Sequence, residues 1–271
     1  MPNGKCKGCL KENVDLQLSH LIPTSVYRLL DSPNAPNRNP VLITSKAIVQ
    51  TSREIRDYVL CSPCEQTLNR KGEEWVVPRL ATRAKTFPLL DILTAVTPEV
   101  DEPDVRAYAG ANNPCLCVED LTHFALGIFW KASVHSWKSG PSGTIPKIEF
   151  GPYGEGIRSF LFCGGPFPDN VGLRVNVMPA PVAPMVSCHP YEGTKSERAH
   201  NFNFYVPGIL FALVVGGGAP EETKGHCFYR SPLHPILLKD LSEEVQRRPK
   251  DTYFRGKAAM ALRKRAGNGL D

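Results

Sequence analysis

The stretch Leu60-Cys-Ser-Pro-Cys-Glu65 places two residues between paired cysteines, and Cys6-Lys-Gly-Cys9 repeats this spacing near the start of the chain. Two intervening residues let both thiolates point at one ion from a tight turn, and two such turns complete a tetrahedral Zn²⁺ site. We therefore predict a Zn²⁺ ion bound by Cys6, Cys9, Cys61 and Cys64. Because four thiolates leave no open coordination position, this zinc is structural and not catalytic.

The segments around the cysteine pairs predict a hairpin followed by a helix. Asp15 to His20 is typical of a short strand that enters a turn at Pro23, and Cys64 to Trp75 has the spacing of a short helix. A hairpin that carries a cysteine pair, a connecting loop and a helix that begins at the last cysteine pair together form a treble-clef arrangement. We expect this zinc-bound domain to occupy residues 1–97.

The rest of the chain predicts a second domain of helices and antiparallel strands. Residues 98–114 are acidic and typical of a loop, and the segment from Glu119 to Trp137 repeats apolar residues at helical spacing. Four β-rich segments separated by proline and glycine follow: Gly172–Met178, Val182–Cys188, Phe202–Tyr205 and Ile209–Val215. The sequence therefore predicts an α+β protein with a second domain at 115–248 and a basic helix or tail at 249–271.

Composition narrows the class of protein. Of the 271 residues, 42% are hydrophobic and 22% are charged, which suits a globular protein with a real core. The first residues lack the apolar core of a signal peptide, and the longest apolar run, from Val206 to Val215, is too short to cross a bilayer. Paired cysteines without an export signal favour metal binding in a reducing compartment, so we expect a cytoplasmic protein without a membrane partner.

Between the cysteine pairs lies Ser19-His-Leu-Ile-Pro23. Taken together, the two pairs, this segment and Glu65 resemble a zinc-bearing HNH endonuclease of the ββα-metal class over about residues 1–85. The resemblance implies that His20 is the general base that activates a water. It also implies that Glu65 holds a catalytic cation, Mg²⁺ or Mn²⁺, and that the substrate is DNA or RNA.

The segment departs from the HNH pattern at three positions. Ser19 replaces the usual acidic or histidine ligand, Glu65 replaces the usual histidine or asparagine, and the middle asparagine is missing near Arg56 and Asp57. A carboxylate at position 65 suits a hard cation, and Asp57 or Glu73 would complete the site if the fold brings either close. The alternative is a catalytically degenerate, zinc-stabilised adaptor that binds nucleic acid or protein.

Basic side chains around the expected site are candidates for contacts with backbone phosphates. These nucleic-acid-binding candidates are Arg28, Arg53, Arg70 and Lys71. We expect the second domain to recognise a partner, a ligand or the nucleic acid, and so to restrict where cutting occurs.

Overall fold

A computed structural model describes residues 1–31, 39–43, 48–50, 54–138, 143–179, 185–195, 199–217 and 225–247. The strands are, in chain order, β1 (Asn3–Gly4), β2 (Val14–His20), β3 (Val41–Ile43), β4 (Ile48–Gln50), β5 (Arg56–Cys61), β6 (Val100–Glu102), β7 (Val105–Ala109), β8 (Trp137–Lys138), β9 (Thr144–Ile145), β10 (Val171–Val177), β11 (Cys188–Lys195), β12 (His200–Val206), β13 (Ile209–Val215) and β14 (Pro235–Leu238). The helices are α1 (Thr24–Leu29), α2 (Ser62–Leu68), α3 (Glu74–Val76), α4 (Pro88–Thr94), α5 (Val118–Val134) and α6 (Gly154–Cys163). The α+β class is confirmed.

The N-terminal part is a small antiparallel sheet followed by a helix. Strand β2 pairs with β1 on one side and with β5 on the other. Strand β5 ends at Cys61, and α2 begins at Ser62 with Pro63 in its first turn, where a missing backbone N–H costs nothing. The helix continues through a π-helical turn, Asn69–Glu73, into α3. The cysteine cluster thus lies beside strands and a helix, as the spacing predicts.

The second sheet is larger than expected. It has seven strands in the order β11-β12-β13-β10-β14-β7-β6. Its pairs are antiparallel except for β10 and β14, which run parallel. Two of its strands, β6 and β7, occupy the acidic segment that was expected to be a loop. Strand Ile209–Val215 has the predicted bounds. Of the strand expected at Val182–Cys188, residues 182–184 lie outside the described residues, and β11 begins at Cys188.

Helix α5 lies between the sheet and the N-terminal helix. All of its residues from Leu121 to Ala132 are buried. The Phe124 ring packs 5.8 Å from the Phe211 ring of the sheet, measured between centroids. One continuous hydrophobic cluster runs from Cys6 to Leu238, so the N-terminal hairpin and the sheet share a core.

The predicted domain boundaries at residues 97 and 115 stay a prediction, and the expected tail at 249–271 lies outside the described residues. Within the described ranges, no helix combines the length and apolarity needed to cross a bilayer.

Gly72 sets the distance between the π-helical turn and α5. A Cβ atom at this position would lie 2.7 Å from the Phe124 backbone nitrogen, closer than real contacts allow. We expect Gly72→Ala to lower the free energy of unfolding by about 1–2 kcal/mol, because overpacking costs about 1–3 kcal/mol and outweighs the helix propensity of alanine. Gly154→Ala is the control, since its Cβ would meet Phe150 at an ordinary 3.8 Å. Equal stability of the two variants in urea unfolding would contradict this view of the packing.

Candidate metal centre and catalytic site

The four cysteines of the two pairs converge on one point. The Sγ atoms of Cys6, Cys9, Cys61 and Cys64 all lie within 4.8 Å of one another. The Sγ atoms of Cys9 and Cys61 are 3.7 Å apart. A tetrahedral zinc with Zn–S bonds of about 2.3 Å requires sulfurs about 3.8 Å apart, so the cluster is compatible with a Zn²⁺ ion at its centre. The predicted ligand set is therefore brought together.

Hydrogen bonds hold the turn that carries Cys6 and Cys9, which we call the first knuckle, around the cluster. Leu10 N donates to Cys6 O at 3.0 Å, and Cys61 N donates to Cys6 Sγ at 3.3 Å, which joins the two pairs. A Cβ atom on Gly8 would lie 3.0 Å from Cys64 Sγ, so glycine is the residue that fits best where the first cysteine pair packs against the second. Arg158 of α6 donates to the Gly8 carbonyl at 2.7 Å and ties the knuckle to the rest of the fold.

His20 lies at the end of β2 and contacts a carboxylate that the sequence pattern does not single out. His20 Nε2 is 2.7 Å from Glu54 Oε2, an ion-pair distance, although the approach falls outside hydrogen-bond geometry. Thr24 Oγ1 donates to the same Glu54 oxygen at 3.4 Å. Both side chains are about three-quarters buried, with 24% and 22% of their surfaces exposed. Glu54 therefore faces the expected general base, although it lies at no position of the HNH pattern.

The surroundings of His20 favour a neutral imidazole. Burial lowers its pKa below the ordinary value, and the positive charges of Lys131 and Arg56 act in the same direction. Glu54 opposes this effect but does not reverse it. The neutral imidazole can accept a proton, so it is the form in which a histidine acts as a general base near neutral pH.

Ser19 is directed into the core. It is 1% exposed, and its Oγ accepts a hydrogen bond from Leu60 N at 3.3 Å. Because successive side chains of a strand point to opposite faces, Ser19 and His20 cannot serve the same site. The serine that replaces the usual ligand thus has a structural role.

Glu65 carries an unsatisfied carboxylate oxygen. Its Oε1 is buried and has no hydrogen-bond partner among the described residues. Glu73 is near enough to sense this charge: its pKa is raised chiefly by burial and further by Glu65, while Lys131 lowers it. A carboxylate oxygen is the kind of ligand that hard cations such as Mg²⁺ prefer, and the binding of such a cation by Glu65 stays a prediction. In the described part of the chain, only the four cysteines bring three or more ligand atoms of His, Cys, Asp or Glu together.

Lys131 of α5 and His135, the residue that follows the helix, pair with the carboxylates that were expected to complete a cation site. Lys131 lies in the last turn of the helix, and His135 directly follows the helix in an extended conformation. Lys131 Nζ donates to the His20 carbonyl at 2.5 Å and lies 3.9 Å from Glu73 Oε1. His135 Nε2 lies 3.0 Å from Asp57 Oδ2. Helix α5 is therefore fixed to the hairpin at the strand that carries His20.

The basic candidates for phosphate contacts are spread over the surface. Arg28 is exposed on α1, and Arg70 and Lys71 are exposed on the π-helical turn. Arg53 lies outside the described residues. Their contacts with nucleic acid stay a prediction.

Comparison of the chain with protein-family models, with curated proteins and with solved structures gave no match. The geometry of the site therefore carries the functional argument.

Proposed function

We propose that the protein is a cation-dependent endonuclease of the HNH type that hydrolyses phosphodiester bonds of DNA or RNA. The observation that carries the proposal is the His20–Glu54 pair on a hairpin anchored by the four-cysteine cluster. Lys131 contacts the His20 carbonyl and Glu73, and the pKa of Glu73 is raised in part by the charge of Glu65, whose Oε1 has no hydrogen-bond partner in the described part of the chain. The site thus offers a base and a ligand for a hard cation.

In the proposed reaction His20 accepts a proton from a water whose oxygen attacks the phosphorus. One P–O ester bond breaks, and its electron pair leaves with the departing oxygen, which takes a proton from solvent. The Glu54 carboxylate stabilises the imidazolium that forms. When bound by Glu65, Mg²⁺ or Mn²⁺ would stabilise the negative charge on the phosphate and the departing oxygen.

The test is a cleavage assay on supercoiled plasmid, single-stranded DNA and RNA with the zinc-loaded protein. Cleavage should require added Mg²⁺ or Mn²⁺. Glu65→Gln should slow it by more than about 100-fold at limiting cation, because losing even an outer-sphere partner costs about 10- to 100-fold. Glu12→Gln, on an exposed residue paired with Lys5, should cleave normally. Absence of cleavage on all three substrates would overturn the proposal.

A non-catalytic adaptor is the second candidate, and the pairing of the acidic residues favours it. Asp57 is paired with His135, which follows α5, Glu73 is paired with Lys131 of α5, and Ser19 is buried. Such an adaptor would bind nucleic acid or protein without cutting. Binding of labelled oligonucleotides by a protein that cleaves none of the three substrates would identify it.

The environment of His20 sets the pH dependence of cleavage. Its pKa is lowered by burial, so the imidazole loses its proton at a lower pH than an exposed histidine, whose pKa is 6.5. We therefore expect the acid limb of kcat/KM to reach half its maximum below pH 6.5, where the base becomes neutral. Glu54→Gln should move this limb to still lower pH, because it removes the negative charge that favours the imidazolium. A wild-type midpoint above pH 6.5 would contradict this description of the base.

A further inference from the structure

One face of the β2–β5 hairpin presents an unusual set of exposed side chains beside His20. Leu18 pairs with Tyr58 across the two strands, and His20 pairs with Arg56. Side chains that are directly opposite in an antiparallel pair share a face, and so do residues two apart on one strand. These four side chains therefore form one surface, which we call the hairpin face.

The apolar members of the hairpin face are open to solvent. Leu18 is 38% exposed and Tyr58 is 41% exposed, although both are large hydrophobic residues. The opposite face of the same strands is closed, since Ser19 is buried and its cross-strand neighbour Asp57 is paired with His135. The core therefore does not require an aromatic ring at position 58.

Arg56 supplies a positive charge to the hairpin face. Arg56 is exposed, and within the described part of the chain it makes no ion pair. Its charge acts on His20, which places the guanidinium close to the expected base. The nearby carboxylate, Glu54, is already in contact with His20. A free guanidinium beside a base suits a phosphate group, to which arginine can donate two parallel hydrogen bonds.

We propose that the hairpin face binds an unpaired nucleotide, with Arg56 on the scissile phosphate and Tyr58 stacked on an adjacent base. An exposed aromatic ring two residues from a phosphate-binding arginine is the combination that recognises single strands, whose bases are free to stack. In a duplex the bases are already stacked and unavailable to Tyr58. This inference rests on the proposed function and adds the substrate class: a single-stranded segment, loop or end.

Fluorescence anisotropy with labelled oligonucleotides of equal length tests the proposal, with the zinc-loaded protein and without Mg²⁺ or Mn²⁺. The wild type should bind the single strand more tightly than the duplex. Tyr58→Ala should weaken single-strand binding by about 5- to 150-fold, the usual effect of losing one stacked base. Tyr58→Phe should bind like the wild type, because it keeps the ring.

Arg56→Met should weaken binding to single strand and duplex alike. It should also reduce the slope of log K against log salt by about 0.7 on single strands, the contribution of one phosphate contact. The matched controls lie on the other sheet: Arg106→Met for an exposed strand arginine, and Val100→Ser for an exposed apolar residue. Neither should change binding.

Several outcomes would overturn the inference. They are a wild type that binds no nucleic acid, one that prefers the duplex, and variants at 56 and 58 that bind like the two controls. If the variants at 56 and 58 bind and cleave normally while the wild type is an active nuclease, the hairpin face fails and the proposed function stands. If binding changes as expected but no substrate is cleaved, the hairpin face stands and catalysis fails. Loss of a protein partner with unchanged nucleic-acid binding would assign the apolar pair to protein recognition instead.

Discussion

Simultaneous replacement of Cys61 and Cys64 by serine should remove the zinc and prevent the N-terminal hairpin and helix from folding. Both residues lie at the junction of β5 and α2, and their Sγ atoms belong to the four-cysteine cluster. In small zinc domains the apparent free energy of binding structural zinc is about 10–16 kcal/mol. This is as large as the whole free energy of unfolding of an ordinary domain, about 5–15 kcal/mol. Because the core is continuous from this cluster to the sheet, the loss should extend beyond the hairpin.

Zinc analysis and circular dichroism would measure this effect. The wild type should hold about one zinc per chain, as expected of a closed Cys₄ site. The matched control is Cys115→Ser, which changes an exposed cysteine outside the cluster and should leave zinc content and stability unchanged. A doubly substituted protein that folds normally without metal would show that the cluster does not hold the fold.

Replacement of Lys131 by methionine should have the second largest effect on stability. The lysine is 2% exposed, so its ammonium depends on the His20 carbonyl and Glu73 for compensation. Methionine fills nearly the same volume but leaves the Glu73 carboxylate without a counter-charge and the carbonyl without a donor. Removing one partner of a buried pair costs about 3–5 kcal/mol, and we expect a loss in that range.

Urea unfolding at pH 7 would measure the change in the free energy of unfolding. Lys138→Met, on an exposed lysine of β8, should change stability by less than about 0.5 kcal/mol. Adding Glu73→Gln to Lys131→Met should recover part of the loss, because the uncompensated carboxylate disappears. A Lys131→Met protein as stable as the Lys138→Met control would mean that α5 is not fixed to the hairpin through this pair.

Local patterns in the sequence were sufficient for the N-terminal part. The spacing of Cys61 and Cys64 fixes both a turn and the start of a helix, and Pro63 fits only the first turn. Strand Ile209–Val215 was also predictable, since seven consecutive apolar residues bounded by glycines have little alternative to a central strand. In these segments the information lies within the element itself.

The sheet edge was not predictable in the same way. Strands β6 and β7 are short, and β6 is exposed and acidic, so the segment has the composition of a loop. Strand β7 is held by β14, more than a hundred residues later in the chain. Strand β14 in turn pairs in parallel with β10. Such long-range pairing leaves no local periodicity to detect.

The partners of the site residues were missed for a related reason. Glu54 follows His20 by more than thirty residues, and only the fold places the two side chains together. Lys131 did leave a signal: it is a single charge inside the apolar run Phe124–Ala132 of a helix that is buried on all sides. A lysine in such a position must find a partner, and the structure supplies one on the hairpin.

The zinc cluster and the proposed chemistry therefore have separate residues and separate roles. The cysteines fix the end of β5 and the start of α2, while α5 fixes the strand that carries His20. His20, Glu54 and Glu65 are the residues to which we assign the proposed reaction.

The most direct measurement is single-turnover cleavage by His20→Ala at matched zinc content. We expect the variant to bind about one zinc and to remain folded, since the ring lies outside the cysteine cluster. Its cleavage rate should fall by about 10²- to 10⁴-fold, the usual contribution of a general base. His226→Ala, on an exposed histidine, is the matched control and should cleave normally. A folded, zinc-loaded His20→Ala protein that cleaves at the wild-type rate would contradict the assignment of His20 as the base.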